Sequence, residues 1–146
     1  VTSPQTISQR LALTGMGGLA VLTGTQWLRE QVRDPAPAVG FALGVMPNLA
    51  AAFAMPLVLA SFFPGIARVP ITGRSRHSFT RLLGFTLLGL GAWEFIQTRS
   101  EQFVFDLNDL VATVLGSLFA YGAFAWHARG VRLDDDAGRY HGEPLP

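Results

Sequence analysis

From Ala38 to Phe63 no side chain carries a charge, and Ala, Leu, Phe, Val and Met fill most positions. A helix needs about 20 mostly apolar residues to cross the hydrocarbon core of a bilayer, and this stretch is long enough. Three other segments qualify: residues 11–28 (LALTGMGGLAVLTGTQWL), Phe79 to Thr98, and Asp106 to His127. Charged residues make up 14% of the chain, against roughly 25% in a soluble domain, which points to lipid as the solvent. The expected fold class is therefore all-α: an integral membrane four-helix bundle over residues 1–128, with spans at about 11–28, 38–63, 79–98 and 106–127. The joining segments are short, so neighbouring spans should pack antiparallel. Residues 129–146 read as a polar cytoplasmic tail.

Arginine sets the expected orientation. Arg10, the second-loop Arg68, Arg74, Arg76 and Arg81, and the tail's Arg129, Arg132 and Arg139 fall on one side; Arg29, Arg33 and Arg99 fall on the other. The positive-inside rule then places both termini and the second loop in the cytoplasm, as a multi-pass membrane protein. The basic second loop also suits anionic headgroups, although a topology signal accounts for it. Ser3-Pro4 reads as a helix start, so the first helix begins in the interface. Ala36-Pro37-Ala38 has the form of a signal-peptidase site. It lies well beyond the apolar run, with Arg29, Glu30, Arg33 and Asp34 between, so a retained span is expected. The chain begins with Val1 rather than Met, and something short of the full translation product is expected.

Several functions are excluded by what is missing. All eleven basic residues are Arg, so no lysine Schiff base or P-loop lysine exists. With no Cys there are no disulfides, thiolate nucleophiles or Cys-type metal sites. A net charge of +1 gives no basic surface for nucleic acid. No G-x-S-x-G, H-E-x-x-H or Walker pattern is present.

Small residues mark where helices approach closely in lipid. In span two, Gly40, Gly44, Asn48, Ala52, Pro56 and Ala60 recur every fourth residue; in span four, Ala112, Gly116 and Ala120 do the same. Plain helix packing accounts for both stripes. Asn48 follows Pro47, whose ring frees a backbone carbonyl. The functional alternative is that Pro47 and Pro56 open the span so that Asn48 faces a polar cavity.

The densest polar cluster is WEFIQTRSEQFVFDLNDL, residues 93–110, set between two apolar runs. Glu94 lies 13 residues beyond Arg81, about 20 Å along a helix, hence about one turn below the outer surface. A carboxylate at the bilayer centre costs about 2.5–3.5 kcal/mol, so Glu94 on an apolar helix needs an explanation. Gln97 shares its face. Asp106 and Asp109 open the next span, and the short loop brings them near Glu94 and Gln97, with Arg99 above. That would make one shallow outward pocket. Asp106 is also a natural N-cap and Asp109 suits the positive end of a helix dipole. Glu101, Gln102 and Asn108 need only water. A divalent cation is a further reading of three carboxylates, without any recognised ligand spacing; no metal or cofactor is expected.

The cluster resembles the VanZ-like family of small bacterial membrane proteins. That family shows Glu-x-x-Gln on one span, a short outer loop, then Asp and a further Asp leading into a span with Leu-Gly. Here these are Glu94 to Gln97, Arg99 in the loop, Asp106, Asp109 and Leu115-Gly116. The match covers about residues 92–120. The family's Asp-Lys and nearby His at the start of span two are missing; Asn48 is the polar residue in that region, and Ala112-Thr113 stands where the family usually has Asn. The resemblance implies a cell-envelope role, linked in the founding member to teicoplanin resistance, without naming a reaction.

His77 and His127 fall at the inner ends of spans three and four. Two histidines can hold a haem or chlorin, but such ligands usually sit deeper; interfacial histidine is expected. Trp27, Trp93 and Trp126 fall near span ends, as an aromatic belt does. Two functions stay open. In one, the outer pocket (Glu94, Gln97, Arg99, Asp106, Asp109, Asn48) takes a polar headgroup or lipid-linked glycan, with Glu94 fit for acid–base work. In the other, the chain is a non-catalytic accessory subunit whose small-residue stripes bind other membrane subunits. Membrane lipid is the partner in both.

Overall fold

The computed structural model describes residues 7–67, 73–97 and 107–140, without the side chains of Pro64, Glu94, Gln97 and residues 130–140. Nearly all of its described residues are helical, and none of them forms a strand. In chain order they form α1 (Ile7–Gln31), α2 (Pro37–Phe62), α3 (Pro64–Ala67), α4 (Gly73–Gln97) and α5 (Leu107–Tyr140). α2 (Pro37–Phe62) and the Leu107–Arg129 part of α5 are long and apolar enough to cross a membrane, with mean hydropathy 1.8 and 1.4. They coincide with the second and fourth expected spans to within two residues. The described parts of α1 and α4 are as long, but Gln, Arg, Ser and Thr dilute their hydropathy.

Proline sets the limits of α2. Pro37 occupies its first turn, where a missing N–H costs nothing because that group has no intrahelical acceptor. At the other end Phe63 turns extended (φ −97°, ψ 106°) and donates its N–H to Ala60 O at 3.2 Å. Pro64 then starts the single turn of α3. α2 runs unbroken through Pro47 and Pro56.

α2 is the hub. α1 and α5 pack along it, whereas α4 touches α2 and α5 much less. The contacts give the directions. Ser8 at the start of α1 donates from Oγ to Ser61 O near the end of α2, at 2.8 Å, so α1 and α2 are antiparallel. On α1 the buried face is Ile7, Leu11, Gly15 and Gly18, the three-and-four spacing of one helix side. A Cβ on Gly15 would lie 2.6 Å from Val58 Cγ2 and 2.9 Å from Val58 N, and one on Gly18 would lie 2.8 Å from Ala54 Cβ. On α5, Ala112, Gly116, Ala120, Phe124 and Ala128 are buried every fourth residue. A Cβ on Gly116 would collide with Leu49 O and come within 3.0 Å of Ala52 Cβ. These are backbone-to-backbone approaches of the small-residue kind.

One end of the molecule holds the core. Ile7, Leu11, Leu57, Ala60, Ile66, Phe79, Ala120 and Phe124 form a single buried cluster. In it Phe79, near the start of α4, stacks on Phe124 of α5 at 4.1 Å and 5° between ring planes. Beyond Phe79, α4 is poorly covered: Phe85, Leu88, Trp93, Phe95 and Ile96 are all exposed, Phe85 by 77%. α4 is thus held at one end.

Hydroxyls inside the helices are satisfied locally. Thr113 Oγ1 donates to Asp109 O at 2.8 Å, Ser117 Oγ to Thr113 O at 2.9 Å, and Thr86 Oγ1 to Leu82 O at 3.0 Å. Bonding back to the carbonyl four residues earlier lets a hydroxyl sit in apolar surroundings without an interhelical partner.

Candidate functional site

The charges segregate along the helices. Arg10, Arg74, Arg76, His77, Arg81, His127 and Arg129 stand at the end that holds the core. Among described side chains, the carboxylates Glu30, Asp34 and Asp109 stand at the opposite end, together with Arg29 and Arg33. Helix direction alone produces this: the starts of α1 and α4 meet the ends of α2 and the apolar part of α5.

Of the sequence-predicted pocket, only Asp109 and Asn48 have described side chains. Glu94 and Gln97 lie in the last turns of α4, with side chains outside the described structure, and Arg99 and Asp106 lie outside the described residues altogether. Asp109 is in the first turn of α5, half-buried, its carbonyl accepting from Thr113. Asn108 beside it is exposed. The nearby ends of the helices are open, with Trp27, Val39, Phe41, Trp93 and Leu107 exposed. Among described residues no three metal-capable side chains converge; Glu94 and Asp106, which the predicted carboxylate group requires, are not among the described side chains.

Asn48 is half-buried on α2. It falls on the same side as Gly40 and Gly44, and the stripe it belongs to divides in two. Its lower half, Ala52, Pro56 and Ala60, is buried. In the upper half, a Cβ on Gly44 would meet nothing within 4 Å, and one on Gly40 would meet only Pro35. On α5, by contrast, Ala112, Gly116 and Ala120 are all buried. The close approach of α1 through Gly15 and Gly18 had a visible signal, the TGMGG cluster, but it lacks the four-residue spacing of the other stripes.

His77 and His127 are treated differently by the fold. His77 is exposed on α4. His127 is half-buried, and its Nε2 shares a hydrogen bond of 2.9 Å with Thr14 Oγ1 of α1. This bond ties α1 to α5 across a separation of 113 residues. It gives His127 a structural partner that its sequence position does not reveal.

Two apolar grooves open on the helix surface. One, about 480 Å³, lies between α2 and α4 and is lined by residues including Met55, Leu59, Phe85 and Trp93. The other, about 360 Å³, lies between α1 and α5 over a floor of Leu49, Ala50 and Phe53 from α2. Asn48 lines neither. No family model matches the chain, and no curated protein or solved structure matches it.

Proposed function

We propose that this chain is a four-span protein of the bacterial cytoplasmic membrane, a VanZ-like envelope protein with both termini and the arginine-rich end in the cytoplasm. Its outward acidic end, Glu94, Gln97, Arg99, Asp106 and Asp109, takes a polar headgroup or lipid-linked glycan. The observation that carries the membrane reading is the distribution of exposed groups. Large apolar side chains face outward on every long helix: Leu13 and Met16, Phe41 and Met55, Phe85 and Leu88, Leu118 and Phe119. Contiguous exposed apolar surface of this kind is what lipid or another protein covers. Charges are confined to the two ends, and arginines concentrate at one, which supports the orientation. α1 runs 17 residues from Arg10 to Trp27, about 26 Å at 1.5 Å per residue, close to the thickness of the hydrocarbon core.

The poor cover of α4 favours a second reading, an accessory subunit in which a partner helix lies along Phe85, Leu88 and Trp93. Both are tested together. Under the pocket reading, Glu94→Gln yields a folded, membrane-inserted protein that has lost its effect on glycopeptide sensitivity, because charge is removed and shape kept. Asp106→Asn has a smaller effect, since asparagine caps a helix about as well as aspartate. A folded Glu94→Gln protein with unchanged sensitivity contradicts the pocket. Copurification of a large partner in mild detergent, lost on Leu88→Arg, supports the accessory role.

A further inference from the structure

The α1–α5 groove ends on a polar group that the outward pocket does not involve. Its walls are Thr14, Gly17, Gly18 and Val21 of α1 and Phe119 of α5. Thr14 is both the last residue of the apolar wall and the partner of His127. One turn further along α1 stands Arg10, half-buried and within electrostatic range of His127. A hydroxyl and an imidazole are thus hydrogen-bonded where an apolar groove stops, with a guanidinium one turn away along α1.

We propose that this groove is a binding site for one anionic phospholipid of the cytoplasmic leaflet, its acyl chain between α1 and α5 and its phosphate on Arg10 and His127. The inference rests on the membrane reading above. The length of the groove selects a lipid over a partner helix. Thr14 to Val21 spans seven residues, about 10 Å, or roughly two thirds of one leaflet of a 30 Å hydrocarbon core. A crossing helix would need the full thickness. Trp126, exposed by 75% beside His127, marks the interfacial level at which a phosphate lies. Charge selects an anionic headgroup: a guanidinium offers five donors in a planar fork matched to phosphate oxygens, so it can hold a phosphate beside its existing contact. Glycine makes the groove: a Cβ on Gly17 would meet nothing within 4 Å, so the space outside it is open to a methylene chain.

The test uses the full chain, extracted from membranes in mild detergent and stripped of lipid. Phosphatidylglycerol, phosphatidylcholine with the same acyl chains, and inorganic phosphate are titrated in turn, and bound lipid is counted by native mass spectrometry. One phosphatidylglycerol should bind in preference to phosphatidylcholine. Arg10→Gln should weaken that preference about fivefold, the contribution of one arginine near an anionic surface. Gly17→Leu, whose Cβ meets no atom within 4 Å and whose side chain occupies the groove, should reduce binding of both lipids. Equal binding of the two lipids, an unchanged preference in Arg10→Gln, or full binding in Gly17→Leu overturns the site. Inorganic phosphate displacing phosphatidylglycerol at equal concentration overturns the lipid assignment. A chain recovered without detergent from the soluble fraction defeats the membrane reading itself, a result distinct from all of these.

Discussion

Gly44 and Gly116 occupy equivalent places in two four-residue stripes, and the structure separates them. Replacing either by alanine removes the conformational freedom of glycine in a helix, a gain of about 0.5–1 kcal/mol. At Gly44 nothing opposes it, since the new methyl meets no atom within 4 Å. At Gly116 the methyl meets Leu49 O, and Ala52 Cβ lies at 3.0 Å. Neither atom is the tip of a flexible side chain, so the helices themselves must separate. Overpacking of this kind costs about 1–3 kcal/mol, and a backbone obstacle belongs in the upper part of that range. Gly116→Ala should therefore be destabilised by about 1–2 kcal/mol net, and Gly44→Ala stabilised by up to about 1. For a chain of this size, 1 kcal/mol moves the midpoint by about 2–4 °C, which separates the two variants by roughly 5–10 °C. The assay is unfolding of the purified protein in mild detergent, by heat at a fixed scan rate and by stepwise addition of dodecyl sulfate. Gly116→Ala as stable as Gly44→Ala would refute the close α2–α5 approach.

Phe79→Ala should release α4, because the Phe79–Phe124 stack is its main buried contact with α5. The expected loss is at or below the low end of the roughly 3–5 kcal/mol of soluble cores, read as faster proteolysis within α4. Thr14→Val breaks the interhelical bond to His127 and should cost about 0.6 kcal/mol, up to about 1.7. Thr113→Val loses only a bond to its own helix and should cost less than Thr14→Val; a larger effect contradicts the assignment of partners.

The long helices were legible because absence of charge is a property of the sequence alone. Expected spans 38–63 and 106–127 meet Pro37–Phe62 and Leu107–Arg129 almost residue for residue. Their ends were less so. α1 begins at Ile7 and α4 at Gly73, ahead of the apolar runs, and α5 continues through the expected tail to Tyr140; polar residues extend a helix as readily as apolar ones once it has started. α3 was missed, although Pro64 at its first position is a start signal. The stripe in α2 shows the limit of spacing as a guide. Its period identifies one side of the helix but not where along that side a neighbour crosses, so Ala52 and Gly44 look alike in sequence and differ in contact. The Thr14–His127 bond joins residues far apart in the chain and had no local signal. Glu94, Gln97, Arg99 and Asp106, which carry the resemblance to a known family, stand on side chains or residues outside the described structure.

The four-span topology is tested most directly by single cysteines in this naturally cysteine-free chain. Exposed Gly73 serves on the arginine-rich side, with Gly138 in the C-terminal stretch and Asp34 and Ser100 for the other side. In intact cells an impermeant thiol reagent should label the cysteines at 34 and 100, and should reach those at 73 and 138 only after the membrane is opened. Labelling at 73 or 138 in intact cells, or protection at 34 and 100, contradicts the proposed orientation, and labelling of all four in a soluble extract contradicts the membrane assignment.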